Sequence, residues 1–272
     1  MRSHPLVRLL ALMLALTMLT AVACKGGGKE EIPEQADTSK LEKDSGEKVA
    51  AVIPDPDDAF AALNALGKPK WNKVVEPIEK TEYSDDSQTA LVTGMVLTDF
   101  FVYVHAEDTK AAGSELTKVV DLARQLKVKV DKDDLKTVRE HLKKKEWGEL
   151  RSALGQLRGK MTDQLVEEMK RPDLAFLLSL GAYVEGTWVV SKVLSDDYSK
   201  KAATMLRQHE LIKDVRESND VLKKDDKYGK LVLGKLGKLE KLMTVEKGAS
   251  VSEKNTKKIF ELAKDTKQAI LE

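Results

Sequence analysis

The 272-residue sequence holds one cysteine, four histidines and seven prolines, and only 5% of it is aromatic. A single cysteine excludes an intramolecular disulfide and a multi-cysteine zinc site, and without a CxxCH there is no c-type haem attachment. His4, His105, His141 and His209 are widely separated, and no Glu-x-x-His pair of the kind that builds di-iron centres in helical bundles occurs. A charge excess of one sign is also missing. Lys plus Arg total 46 against 45 for Asp plus Glu, which removes the whole-chain electrostatic argument for a nucleic-acid partner. No GxxxxGK[ST], GxSxG or HExxH run is present, so the sequence offers no phosphate-cradling loop, nucleophile elbow or zinc-protease helix.

Proline is not only scarce but unevenly placed. Pro5, Pro33, Pro54, Pro56, Pro69 and Pro77 leave Pro172 alone in the last 195 residues, and an interior proline costs a helix about 3 kcal/mol. Its near absence permits long helices, and Pro172 suits the first turn of one. Leu116, Val119, Val120, Ala123 and Leu126 recur at three and four residues, as do Leu211, Ile212, Val215 and Leu222, each set giving one apolar helical face. The pattern predicts an all-α domain over 59–272, either a multi-helix bundle or a tandem array of helical hairpins. Helices are expected at 57–66, 70–80, 87–106, 109–127, 132–144, 147–170, 173–194, 197–223, 229–243 and 252–271.

Two of these, through Ala90 to Ala106 and Leu174 to Ser191, are apolar around most of their circumference, which predicts burial on several sides at the centre of the bundle. Gly94 and Gly181 occupy similar places in them, and Lys110-Ala111-Ala112 and Lys201-Ala202-Ala203 follow, a spacing suggestive of a duplicated hairpin. Asp99 and Glu185 are the lone carboxylates of the two apolar segments. A buried carboxylate must be protonated, hydrogen-bonded or paired. The expected solution is an Arg, Lys or Tyr from a neighbouring helix, with Tyr103 and Trp188 on the same faces. The alternative is that both acids line one cavity for a small ligand or cation.

Other candidates are weaker. His105 and Asp108 are read as a helix-end pair rather than metal ligands, and Asp131 to Asp134 as a helix N-terminal cap rather than a calcium loop. The Lys223 to Lys241 segment interleaves lysines with Leu233, Leu236, Leu239 and Leu242. It is read as a solvated helix packed on its own core, with contact to anionic lipid as the alternative. No catalytic residue, metal or cofactor is assigned.

The amino terminus carries the most specific signal. Arg2 and Arg8 precede an apolar run, Leu9 to Leu19, in which Thr17 is the one polar residue, and its 11 residues are too short to span a bilayer of about 30 Å. Ala21-Val22-Ala23-Cys24 then places the only cysteine directly after the run. This segment, residues 1–24, resembles the lipobox of bacterial lipoprotein precursors, departing from it at Ala21, where leucine is usual. The resemblance implies cleavage before Cys24, a diacylglycerol anchor on its thiol and acylation of the new amine by a fatty acid such as palmitate. Lys25 in place of aspartate implies the outer membrane, with the body facing the periplasm. Loss of 1–23 leaves 44 basic residues against 45 acids.

Residues 24–58, with Gly26-Gly27-Gly28 and three prolines, read as a flexible tether. The body, through Gly94 to Asp99 and Gly181 to Trp188, is weakly similar to uncharacterised helical lipoproteins of bacteria, which implies no activity. The expectation is a lipid-anchored cell-envelope protein that binds or scaffolds an envelope partner, with no nucleic acid and no enzymatic role.

Overall fold

The computed structural model describes Ile53, residues 56–67 and residues 69–272. The signal segment, Cys24 and nearly all of the expected tether lie outside the described residues. Nine α-helices and no strand are found among the described residues, so the fold is all-α, a multi-helix bundle. They are α1 (Pro56–Gly67), α2 (Asp86–His105), α3 (Thr109–Gln125), α4 (Lys132–Lys144), α5 (Trp147–Asp163), α6 (Pro172–Asp196), α7 (His209–Glu217), α8 (Lys227–Met243) and α9 (Glu253–Leu271).

The centre is the pair α2 and α6. Every residue of α2 from Gln88 to Val104 is buried, and α6 opens on Pro172 in its first turn and buries most of its length. Both are long and apolar enough to cross a membrane, but 89% and 94% of their apolar windows are buried inside the protein, as expected of core helices. Three of their buried hydroxyls bond within their own helix: Thr93 donates to the Thr89 carbonyl, Thr98 to Gly94 and Ser191 to Thr187. Each is the i−4 bond that lets a polar side chain sit in a helical core.

The crossing of the two helices is reciprocal. A Cβ on Gly94 would lie 1.9 Å from the Leu178 carbonyl oxygen, and a Cβ on Gly181 would lie 1.9 Å from that of Leu91. Each glycine thus faces the residue three before the other, an approximate two-fold relation. Only hydrogen in place of a side chain allows backbones this close. The α3 helix packs on α2, α9 packs on α6, and α8 joins α7 to α9. Side-chain caps start several of these helices: Asp85 on Gln88, Asp108 on Ala111, Asp131 on Asp133, Asp226 on Gly229 and Ser252 on Asn255.

Two expected helices do not form. In place of 70–80 there is a 3₁₀ turn at Trp71–Lys73, and residues 75–83 run without regular structure. Pro77 cannot supply an interior helical N–H. The segment instead bonds outward as a strap: Lys267 donates to the Glu76 carbonyl, Gln125 donates to the Thr81 carbonyl, and the Tyr83 N–H donates to Gln125 Oε1. The expected 197–223 is broken into a 3₁₀ turn at Ala202–Leu206, α7, and another at Asn219–Val221. Burial of Ala202, Ala203 and Leu206 and the bond from Tyr198 to the Val251 carbonyl outweigh local propensity. The Lys201-Ala202-Ala203 run is therefore not a second copy of the Ala-rich start of α3. Among the described residues the first helix opens at Pro56, with Asp57 and Asp58 in the first turn, where carboxylates suit the helix dipole.

Candidate functional site

The two acids singled out in the sequence meet in the middle of the bundle. Asp99 stands five residues beyond Gly94 and Glu185 four beyond Gly181, so the close glycine crossing brings them together; both are fully buried. The third member comes from α9. Lys267 Nζ donates to Glu185 Oε1 at 2.6 Å and to the Glu76 carbonyl of the strap at 3.2 Å, and lies 4.2 Å from the Trp188 ring centre. This is a buried ion pair with a cation–π contact on its open side.

As carboxylates, neither oxygen of Asp99 nor Oε2 of Glu185 has a donor. A proton resolves this. Burial first, and then the neighbouring Glu185 charge, hold the Asp99 carboxyl well above the usual carboxylate range. A protonated Asp99 is the neutral form that burial favours, and it supplies a donor to a set in which Glu185 Oε1 already accepts from Lys267. Burial alone would lower Lys267, but Glu185 and Asp99 outweigh it and hold the ammonium above its ordinary value. Tyr103 is pushed up to about 12, chiefly by burial. Glu115 on α3 is itself buried, raised by desolvation and opposed by Lys118 at 2.9 Å.

A second buried network ties α1 to the end of α2. The Trp71 indole N–H donates to Asn64 Oδ1 at 2.8 Å. That leaves the Asn64 amide to donate to His105 Nδ1 at 2.7 Å, so His105 Nε2–H donates to Asp57 at 2.7 Å. Phe60 and Trp71 pack around the imidazole at 5.9 Å and 5.5 Å. His105 is therefore not paired with Asp108, which caps α3. Asp131 caps α4 as expected, and Asp134 binds Lys160.

Of the sequence candidates, Asp99 and Glu185 are adjacent, and Cys24 lies outside the described residues. Lys267 and Glu115 were missed, although both carry a readable signal: each falls on the inner stripe of its helix, Lys267 with Ile259, Ala263 and Ile270, and Glu115 with Ala112, Val119 and Leu122. The described pockets lie elsewhere, lined by residues such as Tyr183 and Met205, Val74 and Val193, or Lys160 and Glu167. No group of three or more His, Cys, Asp or Glu side chains among the described residues is placed to hold a metal ion. Comparison of the chain with protein families, characterised proteins and solved structures gave no match.

Proposed function

We propose that the chain is a lipid-anchored cell-envelope protein of the outer membrane, facing the periplasm, with a binding or scaffolding role and no catalytic one. The observation that carries this reading is the position of the only cysteine, Cys24, at the end of Ala21-Val22-Ala23-Cys24, shortly behind the 11-residue apolar run. Two or more acyl chains on that residue give stable anchoring, where one gives only marginal attachment. The alternative role, carriage of a small ligand or cation between the central helices, needs Asp99 and Glu185 to face open space. Lys267 and Trp188 fill that space, which supports the scaffold over the carrier. The partner is then met on the charged helical surface.

The test is mass spectrometry of the membrane fraction. The expected result is an amino-terminal peptide beginning at Cys24 with diacylglyceryl and acyl mass, and a Cys24→Ser chain that is unprocessed and unlipidated. A wild-type chain that starts elsewhere, or that leaves membranes in detergent-free buffer, overturns the reading.

A further inference from the structure

Helix α8 packs on the core as expected, though through Val232, Leu236, Leu239 and Met243, with Leu233 and Leu242 only half-buried, and this leaves its outward face to account for. The exposed positions of α8 are Lys227, Lys230, Gly234, Lys238 and Lys241. Steps of three and four residues return to the same side of a helix, so these five form one stripe about 21 Å long. No carboxylate is within ion-pair distance of Lys230, Lys238 or Lys241 among the described residues, and Lys227 lies over the Tyr228 ring at 4.4 Å. The only acid on the helix, Glu240, is turned aside to Arg216. The charge is regional: residues 223–272 hold thirteen lysines against eight carboxylates, while the whole chain nets +1.

We infer that this lysine stripe is the surface on which the body rests against an anionic phospholipid membrane, an inference that rests on the proposed lipid anchoring. Three observations choose this occupant. The ammoniums are point charges without the planar fork that grips one phosphate or carboxylate. Gly234, at the middle of the stripe, has nothing within 4 Å of a Cβ position, so no side chain overhangs the face there, and none of the described pockets is lined by α8. A row of separate positive charges on one helix face matches negative charge spread over a plane, and a chain tethered at Cys24 meets such a plane wherever the leaflet is anionic. Leu231, Leu233 and Leu242 flank the stripe half-buried.

The experiment is lysine footprinting on the native lipidated chain, reconstituted into vesicles of phosphatidylcholine alone or with phosphatidylglycerol. Acetylation by an N-hydroxysuccinimide ester is read by mass spectrometry. Lys227, Lys230, Lys238 and Lys241 are expected to label about threefold more slowly on the anionic vesicles, with the protection lost in high salt. Lys132, Lys136 and Lys143, exposed on α4, serve as unchanged controls. A chain with all four stripe lysines changed to Gln, which leaves the buried face untouched, should lose the protection of Lys223, Lys224 and Lys235. Equal labelling on both vesicles overturns the proposal, as does the same protection produced on neutral vesicles by soluble inorganic phosphate. Sedimentation with neutral vesicles reads the anchor separately. If it fails there, the anchoring reading falls, and added anionic vesicles still decide the stripe.

Discussion

Lys267 donates a 2.6 Å hydrogen bond to Glu185 from 82 residues away in the chain, with side-chain exposures of 6% and 0%. Removing one partner of a buried pair strands the other charge at a cost of about 3 to 5 kcal/mol. Lys267→Met is therefore expected to lower unfolding stability by about that amount. Adding Glu185→Gln should recover part of the loss, because the stranded carboxylate is then gone. Denaturant titration of the single and double variants checks this, and strictly additive losses would deny the coupling.

Asp99 makes stability depend on pH with a definite sign. Its carboxyl is held above the usual range by burial and by Glu185, so the folded state keeps a proton that the unfolded chain releases near pH 4. The contribution is fully present below that pH and is lost as pH rises toward the folded value. The slope is at most about 1.4 kcal/mol per pH unit. Asp99→Asn should flatten the curve above pH 4, as measured by unfolding free energies across pH 4 to 9. Parallel curves for the two proteins would show that Asp99 carries no extra proton.

The glycine crossing predicts opposite outcomes for one chemical change. Gly94→Ala and Gly181→Ala each set a methyl carbon 1.9 Å from a backbone carbonyl oxygen, and each is expected to cost about 3 kcal/mol. Gly155 and Gly159 lie within α5 with nothing within 4 Å of a Cβ. Alanine there should stabilise by about 0.5 to 1 kcal/mol. Thermal melts of the four variants measure the contrast.

His105 holds α1 in place through Asp57 and Asn64. His105→Ala breaks two part-buried hydrogen bonds, and the local opening free energy of α1 is expected to fall by about 2 kcal/mol. Amide exchange should accelerate across 56–67 while α2 and α6 keep their protection. Unchanged exchange in α1 would assign its docking to Phe60 and Leu63 alone.

The helices were legible where the signal was local. Proline placement and the stripe through Leu116, Val119 and Ala123 led to α3, and the all-round apolar runs led to α2 and α6. Val120, expected on the buried stripe of α3, is half-exposed, and Leu122 is buried instead; three-and-four spacing leaves that choice to the neighbouring helix. The strap was not legible, because what keeps 75–83 from coiling includes Gln125 and Lys267, which no window around Pro77 contains. The juxtaposition of Asp99 and Glu185 was foreseeable from their similar offsets, five and four residues, beyond Gly94 and Gly181. Their partner was hidden by composition, since Lys267 is one of several lysines in α9, and only its place among Ile259, Ala263 and Ile270 distinguishes it.

The bond from Lys267 to the Glu76 carbonyl also sets an order of assembly. The ammonium that neutralises the centre arrives on the last helix and fastens the segment that precedes the first central one. A nascent chain can pair α2 with α6 long before α9 appears, but until then Glu185 has no Lys267 beside it and residues 75–83 have no lysine to hold them. Polypeptides cut short ahead of position 267 should consequently stay loosely closed and be open to proteases, so that completion of synthesis itself becomes the final folding step.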